Sequence, residues 1–301
     1  MAEKKFCSVC GADAVTLLGN GRYLCGEHYS SAILERVQRT VGENGMIGEN
    51  DHIAVALSGG KDSTVLLWLL SKILSGQDDI TLTALTIDEG VCGYRDETIQ
   101  AARSITGMLG ISHRIVSFEE YYGRTLDSLV AGNENRACTI CGVLRKKLMQ
   151  VASRETGATK LATGHNLDDE AQSVLMNFFN GDIRRITRQA TVNPGFIPRI
   201  KPLNEIADKE VALFGMVNGI YRDLPECPYA RGSLRADVRG FLSRAEYLCP
   251  GTKDRIVNGY ARLRSSLHGN VPVSHYRTCG ICGEPCTGDL CMACRILDSL
   301  A

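Results

Sequence analysis

The stretch ALSGGKDST, residues 56–64, limits most narrowly what this chain can fold into. The short apolar run His52–Leu57 leads into it, and a helical stripe of apolar residues follows it: Val65, Leu66, Leu69, Leu70 and Ile73. Gly59 and Gly60, which have no side chains, let the backbone of this loop approach a ligand closely. A strand, a glycine loop and a helix in this order predict an α/β unit.

Further apolar runs alternate with helical patterns along the middle of the chain. We interpret three of them as strands: Ile80–Ile87, Ile111–Phe118 and Leu161–Thr163. Helices are expected at Ser31–Val41 and around Glu170–Phe179. Strands that are separated by helices form parallel sheets with helices on both faces. The sequence therefore predicts an α/β fold built on a doubly wound parallel sheet.

The glycine loop has the features of a phosphate-binding site. The helix after it presents unbonded N–H groups at the positive end of its dipole, and Lys61 adds a positive charge. Ser58 and Ser63 offer hydroxyl groups to the same ligand. The loop matches neither GxxxxGK[ST] nor GxGxxG, so it is neither a Walker A loop nor a dinucleotide fingerprint.

A second loop, LATGHNLDDEAQ, has the same order of strand, turn and helix. It turns at Gly164 and His165, and Asp168 and Asp169 fall in the first helical turn. The helix dipole favours carboxylates there, and carboxylates can also hold Mg²⁺ against triphosphate oxygens. Plain helix capping by either aspartate is the alternative. Beside the SGGKDS loop, we favour the Mg²⁺ role.

Both ends of the chain carry cysteine motifs with the spacing of zinc ligands. The first set is CxxC…CxxH and the second is CxxC…CxxC: Cys7, Cys10, Cys25 and His28, then Cys279, Cys282, Cys291 and Cys294. Four such ligands close a tetrahedron around zinc and leave no open position. We therefore predict two structural zinc sites.

The composition also favours metal chemistry inside the cell. The chain has 13 cysteines among 301 residues, an odd number, and its N-terminus lacks the apolar run of a secretory signal. Metal binding is thus favoured over a disulfide framework. No stretch approaches the roughly 18 apolar residues of a membrane helix. Lysine plus arginine equal aspartate plus glutamate at 34 each, which argues against a generally basic protein. We expect a cytosolic protein that does not contact a membrane.

An interior CxxC, formed by Cys138 and Cys141, precedes a basic helical segment and has no second pair nearby. A third ligand would come from Cys92, Cys227 or Cys249. Cys227 and Cys249 each precede a proline, a feature that recurs at iron–sulfur ligands, so the residues alone do not separate them. A redox pair or a persulfide-carrying pair is the alternative to a metal site.

These motifs together resemble one family. SGGKDS resembles the SGGxDS loop of the N-type ATP pyrophosphatases, the PP-loop proteins. With the terminal motifs, CTICG, GHNLDDEAQ, PRIKPL and ECPYA, about residues 6–295 are similar to the tRNA 2-thiolation family. That family comprises the archaeal and eukaryotic wobble-uridine thiolation proteins and thermophile relatives that act on the T-loop.

The resemblance implies an enzyme that thiolates a uridine of tRNA. ATP would adenylate the C2 oxygen of the uridine, and sulfur from an iron–sulfur cluster would then displace AMP. The residues implied for nucleotide binding lie in the two loops and at the end of the second strand: Ser58, Gly59, Gly60, Lys61, Asp62, Ser63, Ile87, Gly164, Asp168 and Asp169. Lys61 and Asp169 are also implied as catalytic residues.

The resemblance also implies three ligands of a [4Fe-4S] cluster, Cys138, Cys141 and Cys227. Three thiolates leave one iron without a protein ligand, so that iron can hold a sulfur nucleophile. A basic residue follows the CxxC in the family, so Arg145 or Lys146 is expected to stabilise charge on the reacting oxygen, and Arg145 is our candidate. The expected cofactors are ATP, Mg²⁺, the cluster and two Zn²⁺.

The expected partners follow from the same resemblance and from one basic segment. The family implies tRNA as substrate, sulfide or a thiocarboxylated ubiquitin-like protein as sulfur donor, and a homodimer. Residues 182–201 contain five basic residues and only one acidic residue, Asp182. This cluster predicts a contact with the RNA backbone. Its basic residues are Arg184, Arg185, Arg188, Arg199 and Lys201. A solvated charged face is the alternative. We divide the chain into a zinc knuckle (1–30), a catalytic domain (31–270) and a zinc ribbon (271–301).

Two rival functions use only part of these motifs. Another PP-loop enzyme, one that forms amides or lysidine, would use the SGGKDS loop but would leave the three interior cysteines without a role. A non-catalytic zinc-ribbon RNA-binding protein would leave the phosphate loop and the paired aspartates without a role.

The target uridine is predicted from composition alone, because both branches of the family share the motifs. Thiolation at T-loop position 54 stiffens tRNA for growth at high temperature. Proteins of such organisms are rich in lysine and glutamate and poor in cysteine and methionine. This chain is 23% charged and has seven methionines, which is typical of a mesophile. We therefore favour the wobble uridine, position 34, over position 54.

Overall fold

A computed structural model describes residues 4–18, 21–182, 185–186, 195–230, 234–266 and 276–300. The strands are, in chain order, β1 (Thr16–Leu17), β2 (Tyr23–Leu24), β3 (His52–Ala56), β4 (Thr81–Asp88), β5 (Ser112–Ser117), β6 (Lys160–Ala162), β7 (Arg199–Ile200), β8 (Arg277–Thr278) and β9 (Pro285–Cys286). The helices are α1 (Gly26–Glu43), α2 (Lys61–Ile73), α3 (Arg95–Leu109), α4 (Phe118–Tyr122), α5 (Leu126–Val130), α6 (Ala137–Glu155), α7 (Leu167–Phe179), α8 (Asp208–Val217), α9 (Leu234–Leu248), α10 (Thr252–Ser266) and α11 (Met292–Ser299). None of these helices has both the length and the apolar content that crossing a lipid bilayer requires.

Five parallel strands form the central sheet, in the order β5-β4-β3-β6-β7. The chain enters at β3 in the middle, builds outwards through β4 to β5, and then returns to add β6 and β7 on the other side. The order therefore reverses between β3 and β6. In such sheets, ligands bind beyond the carboxyl ends of the strands at this switch point. The loops that leave β3 and β6 are the glycine loop predicted to bind phosphate and the aspartate loop predicted to hold Mg²⁺.

Side chains of β3 alternate between two cores on opposite faces of the sheet. Ile53 and Val55 pack into a core with α1, α2 and α8. Ala54 points the other way and packs with Leu161 and with Met149 of α6. This alternation with a period of two is what a strand covered on both faces requires.

The cysteine-rich ends are built into the cores rather than standing apart from them. Cys7 and Cys25 belong to the core under α1 and α2. Cys279, Cys291 and Cys294 belong to a second core with α5 and α6. Each end also has a two-stranded antiparallel ribbon, β1 with β2 and β8 with β9.

The predicted doubly wound parallel sheet is confirmed, and the four strands predicted from the sequence correspond to β3, β4, β5 and β6. The fifth strand, β7, was not predicted, because two residues are too few to show a period. One expectation is wrong: the CxxC does not precede the basic helix but lies inside α6. The reason is the buried stripe that begins one residue before the first cysteine: Ala137, Ile140, Leu144 and Leu148.

Gly59 brings the loop after β3 against helix α3. Its φ is +89°, and a Cβ at this position would lie 2.0 Å from the carbonyl oxygen of Thr98. A side chain here would therefore meet backbone that has no room to move. The glycine thus fixes where the first loop lies relative to α3.

Gly59→Ala should lower the free energy of unfolding by about 3 kcal/mol, because it adds a backbone clash to the cost of a left-handed alanine. Gly76 provides the matched control, since its φ is +85° and open space surrounds it. Gly76→Ala should cost only about 1 kcal/mol, the conformational part. Thermal unfolding of both variants measures the difference. Equal losses in the two would contradict the close approach.

Candidate functional site

The loop after β3 is shaped by hydrogen bonds within itself. The hydroxyls of Ser58 and Ser63 lie 3.0 Å apart. The Ser63 hydroxyl also accepts from the Ser58 N–H at 3.1 Å and donates to the carbonyl of Gly60 at 3.0 Å. Helix α2 begins at Lys61 without a side-chain cap, so the N–H groups of its first turn are available to an anion. The two serines therefore hold the loop in the form in which an anion can bind.

Lys61 lies between two carboxylates at the start of α2. Its Nζ donates to Asp62 at 3.0 Å and to Asp208 of α8 at 2.5 Å. The amide of Asn166 donates to the same two carboxylates, at 3.0 and 3.1 Å. Burial pulls the pKa of Lys61 down, but the two carboxylates outweigh it and the net pKa is raised. Lys61 is thus a fixed positive charge beside the open helix end.

Asp168 and Asp169, the paired aspartates of α7, have different surroundings. Asp168 is 8% exposed, and its two oxygens accept from Lys253 of α10 and from the Asp208 N–H at 2.9 Å. Asp169 forms a capping box with Asn166, and its other oxygen lies 3.6 Å from a guanidinium nitrogen of Arg235, with a quarter of the side chain (25%) exposed. Burial raises the pKa of Asp169. Asp168 is therefore tied into the fold, whereas Asp169 has a carboxylate oxygen that a cation can reach.

The aspartate loop after β6 touches the glycine loop after β3 at Gly164. A Cβ on Gly164 would lie 3.0 Å from the carbonyl carbon of Asp62 and 3.0 Å from the backbone nitrogen of Ser63. Glycine is needed for this approach. The neighbouring His165 bonds to the Thr163 hydroxyl at 2.9 Å, and burial, with Lys201 nearby, lowers its pKa to about 4. His165 is thus a neutral residue that fixes the turn.

A buried carboxylate joins the phosphate loop to helix α6. Glu89, which is 4% exposed, lies 2.9 Å from the Nε of Arg95 and 3.3 Å from a guanidinium nitrogen of Arg145. The contact with Arg95 is an ion pair without a well-aligned hydrogen bond. Arg95 is equally buried and donates to the carbonyls of Ser58, at 3.3 Å, and of Ile87. The end of β4, the loop after β3 and the CxxC helix are therefore connected through Glu89.

The three interior cysteines predicted as ligands lie near one another. Cys138 and Cys141 are in the first turns of α6, and the Cys138 thiol donates to the carbonyl of Tyr229, two residues after Cys227. Burial raises the pKa of Cys141 to about 12 and outweighs the opposite effect of Arg145. The charges of Cys227 and Cys138 contribute to this rise. The loop that carries Cys227 therefore lies beside the interior CxxC.

Cys249, the other candidate for third ligand, has different neighbours. It lies exposed after α9, and its sulfur is 3.2 Å from a guanidinium nitrogen of Arg255. None of the three interior cysteines is among its described contacts. Those three are also spaced more loosely than a single metal ion requires, since in the described ranges only the terminal sets are that tight. A four-iron cube holds its thiolates farther apart than one zinc ion does, so a cluster does not require a set as tight as the terminal ones.

At the N-terminus, the four predicted zinc ligands converge. The sulfurs of Cys10 and Cys25 are 3.7 Å apart, and the Nδ1 of His28 lies 3.2 Å from the Cys25 sulfur and 3.6 Å from that of Cys7. A tetrahedral zinc with Zn–S bonds of about 2.3 Å separates its sulfurs by about 3.8 Å. The donor set therefore fits one zinc ion.

At the C-terminus, Cys279, Cys282, Cys291 and Cys294 also lie within reach of one metal ion. The sulfurs of Cys282 and Cys291 are 3.7 Å apart. Backbone N–H groups, that of Cys291 first, lower the pKa of Cys279 to about 6, which favours the thiolate that a metal needs. Lys147 of α6 contacts the Cys294 sulfur at 3.7 Å, so this set touches the helix that carries the CxxC.

The structure describes only part of the basic segment, residues 182–201. Arg184 and Arg188 lie outside the described residues. Arg185 pairs with Asp182 at 3.1 Å, and Lys201 pairs with Glu170 at 2.6 Å. These pairs reduce the local excess of positive charge that the sequence indicated.

The sequence analysis missed several charged residues of the site: Glu89, Arg95, Lys253, Asp208 and Arg235. Glu89 and Arg95 fall in the segment that follows β4, so their position at a strand end was a usable signal. Asp208, Arg235 and Lys253 come from helices far along the chain and show no local motif. Only the fold brings them to the phosphate loop.

Comparisons with known proteins agree with this geometry. Residues 30–217 match the family model of a PP-loop domain. The chain is 36% identical to the tRNA 2-thiolation protein NcsA of Haloferax volcanii over 98% of both chains. It is 30% identical to a tRNA-5-methyluridine(54) 2-sulfurtransferase of Pyrococcus horikoshii, over 96% of this chain and 92% of the relative.

A solved structure is also similar along its whole length. The U34-tRNA thiolase NcsA from Methanococcus maripaludis with its [4Fe-4S] cluster superposes with a TM-score of 0.86 and 34% identity. The match covers 100% of this chain and 98% of that one. The family resemblance inferred from the motifs is therefore confirmed.

Glu89→Gln should destabilise the protein by about 3 kcal/mol, because it leaves the buried Arg95 without a full counter-charge. Glu155 supplies the control: it pairs with Arg114 at the surface, where both side chains are more than 40% exposed. Glu155→Gln should change the free energy of unfolding by less than about 1 kcal/mol. Thermal unfolding of both variants decides. A Glu89→Gln protein as stable as Glu155→Gln would show that the carboxylate is not structurally required.

Proposed function

The chain belongs to the PP-loop family of tRNA 2-thiolation proteins, and on this premise we propose that it replaces the C2 oxygen of a tRNA uridine by sulfur at the expense of ATP. The observation that carries the proposal is the connection through Glu89. One arginine partner of Glu89 bonds to the phosphate loop, and the other lies beside the interior cysteines. Glu89 therefore connects the loop that would bind ATP with the cysteines that would deliver sulfur. This connection suits a reaction in which activation and sulfur transfer follow each other.

The first step is activation of the uridine. The C2 oxygen attacks the α-phosphorus of ATP, pyrophosphate leaves, and the oxygen now carries AMP. Lys61 and the N–H groups of α2 bind the phosphates, and Asp169 supplies a carboxylate oxygen for Mg²⁺. Asp62 would join the Mg²⁺ ligands by releasing Lys61. Support comes from the open end of α2, the fixed charge of Lys61 and the PP-loop match.

Among the predicted nucleotide-binding residues, the roles divide. In our proposal Gly60 gives the phosphates access to the backbone, whereas Gly59 and Gly164 seat the loops against α3 and against each other. Ser58 and Ser63 hold that backbone in shape. In our proposal the carbonyl end of β4 at Ile87 borders the adenosine. Asp168 would join the Mg²⁺ ligands only by releasing Lys253, so we assign Asp169 the larger part.

The second step is sulfur transfer, with Cys138, Cys141 and Cys227 as ligands of a [4Fe-4S] cluster. When bound by three thiolates, such a cluster supplies an open iron at which sulfur can be held for attack. In our proposal a hydrosulfide adds to C2 and gives up its proton to solvent as the C2=S bond forms, and AMP leaves with the former C2 oxygen. The support is the nearness of the three thiols and the cluster in the Methanococcus maripaludis thiolase.

Arg145 is the residue we propose for stabilising charge on the reacting oxygen. It lies one helical turn after Cys141 on the same face of α6, and Glu89 holds its guanidinium at 3.3 Å. Lys146 follows on the helix but faces other cations, with Arg199 the strongest influence after burial. A positioned guanidinium that does not have to reorganise during the reaction stabilises developing negative charge efficiently.

For the target we propose the wobble uridine at position 34, with T-loop position 54 as the alternative. The composition points to a mesophile, as argued from the sequence. The similarity to the U34-tRNA thiolase also reaches 34% over the whole chain, against 30% for the position-54 enzyme. The two sequence identities differ by only a few per cent, but the identities and the composition both favour position 34.

The remaining assignments complete the proposal. Two Zn²⁺ ions would hold the terminal modules, residues 1–30 and 271–301, around a catalytic domain of residues 31–270. Sulfide or a thiocarboxylated ubiquitin-like protein would supply the sulfur to a cytoplasmic homodimer. The terminal donor sets and the naming of relatives as cytoplasmic tRNA 2-thiolation proteins support this arrangement.

Cys141→Ala, purified without air, should lose its iron and its thiolation activity and keep two zinc ions, because the zinc ligands are separate residues. Metal analysis of the protein and measurement of 2-thiouridine in digested tRNA provide the readout. Cys227→Ala should behave in the same way.

Cys249→Ala is the matched control, since Cys249 also precedes a proline but lies exposed beside Arg255. It should keep iron and thiolation at the wild-type level. If Cys249→Ala lost the iron while Cys227→Ala kept it, the third ligand would be wrongly assigned. Full iron and activity in Cys141→Ala would refute the cluster itself.

A further inference from the structure

A cavity of ≈ 770 Å³ lies between helix α6, the residues around β7 and the C-terminal metal module. Its size falls within the roughly 300–1,000 Å³ typical of ligand pockets. None of the residues assigned to ATP or to the cluster lines it: its described wall includes Val143, Gln150, Phe196, Tyr276 and Leu290.

The cavity and the cysteine site are on different faces of α6. Cys141 and Arg145 are four residues apart and share one face. Val143, Lys147 and Gln150, which line the cavity, repeat with a spacing of four and three residues. At about 100° per residue, Val143 points about 200° away from Cys141. Val143 and Gln150 therefore face away from the interior cysteines, whereas Lys146 lies at the edge of the cavity, near enough to Arg145 and Arg235 for their charges to act on it.

Hydrogen bonds fix the walls of the cavity. Gln150 is 4% exposed, accepts from the Ile197 N–H at 2.7 Å and donates to the Ile197 carbonyl at 3.2 Å. Arg154, one turn later, donates to the Gly195 carbonyl at 3.1 Å and pairs with Glu284 of the C-terminal module. Helix α6 thus holds both opposite walls, so the space between them is a built feature of the fold.

The charged lining is mostly positive. Five lining side chains are lysine or arginine, and of these Lys201 pairs with Glu170 and Lys147 contacts the Cys294 sulfur. The one glutamate, Glu284, pairs with Arg154. Lys146 has no hydrogen bond or ion pair with any described residue. Burial and the surrounding arginines, Arg199 first, lower its pKa. Lys146 is exposed at the edge of the cavity, and its position among other cations without an acidic partner favours an anionic ligand over a cationic one.

An aromatic pair forms the apolar part of the wall. The rings of Phe196 and Tyr276 meet edge to face, with centroids 5.6 Å apart, and Pro198 and Leu290 line the cavity beside them. Aromatic faces next to lysine and arginine are the usual means of holding unstacked bases of single-stranded RNA. An acidic protein tail would use the cations but would have no need of the ring faces.

We propose that this cavity binds an unpaired nucleotide of the RNA, with its base against Phe196 and Tyr276 and its phosphate at Lys146 and Arg199. This inference rests on the proposed function in one respect, namely that the RNA is the tRNA substrate. The nucleotide is a neighbour of the target uridine, because Lys146 at the edge of the cavity lies near Arg145, the residue proposed to act on the reacting oxygen. The cavity thereby requires a target uridine in a loop rather than in a paired stem.

The test is binding of tRNA and of hexauridylate to the full-length chain, measured by fluorescence anisotropy at several salt concentrations. Tyr276→Ala should weaken both affinities about tenfold or more, as expected for loss of one stacked base. Tyr276→Phe should restore them, because stacking does not need the hydroxyl. Lys146→Gln, a surface change that leaves folding intact, should lower the slope of log affinity against log salt by about one.

Tyr247→Ala is the matched control, since Tyr247 lies on α9 and its side chain is 85% exposed. It should bind RNA as the wild type does. Unchanged RNA binding in both Tyr276→Ala and Lys146→Gln would overturn the proposal. Weaker binding of a polyglutamate peptide to these variants, with RNA binding unchanged, would instead assign the cavity to a protein tail and would equally overturn it.

These measurements distinguish a failure of the cavity proposal from a failure of the proposed thiolation function. Wild-type protein that binds hexauridylate through Tyr276 but makes no 2-thiouridine would leave this inference standing and refute the function. Protein that thiolates tRNA, while Tyr276→Ala and Lys146→Gln bind RNA normally, would keep the function and refute the cavity.

Discussion

Glu89 is almost completely buried, and its two charged partners are arginines from different parts of the site. Arg95 fastens the phosphate loop and the end of β4, and Arg145 stands beside Cys141. A buried carboxylate is costly to desolvate and is tolerated only when it is paired, so each arginine constrains where the other can lie. The distance between the nucleotide loop and the cysteine helix is set in this way. In the proposed reaction, activated oxygen and sulfur must meet, and such a constraint supplies the positioning on which the rate depends.

Helix α6 transmits this constraint to the rest of the molecule. One face packs into the core, a second carries the interior CxxC and Arg145, and a third lines the basic cavity. Lys147 contacts Cys294, so the C-terminal donor set is attached to the same helix. A metal ion held by that set would therefore support the packing of α6 as well as the ribbon itself. The four cysteines accordingly lie against a core rather than on a separate appendage.

Functional sites could be predicted from the sequence where their residues lie close together in the chain. The SGGKDS loop, the aspartate loop and both terminal cysteine sets are local patterns, and each could be placed on a strand end, a helix start or a turn. Pairs far apart in the chain were invisible: Lys61 with Asp208, Asp168 with Lys253, and Gly59 with Thr98. The choice of Cys227 over Cys249 needed a family resemblance, because both precede a proline. In the structure, Cys138 bonds within the Cys227 loop, whereas the sulfur of Cys249 contacts Arg255.

The most direct measurement is a reaction without air of the wild-type chain with ATP, sulfide and an unmodified tRNA that has uridine at positions 34 and 54. AMP and 2-thiouridine are quantified together, and fragments of the tRNA are mapped by mass spectrometry. The account predicts one AMP for each 2-thiouridine, with the sulfur at position 34. Formation of 2-thiouridine without AMP, or of AMP without 2-thiouridine, would contradict the proposed chemistry, and sulfur confined to position 54 would contradict the proposed target.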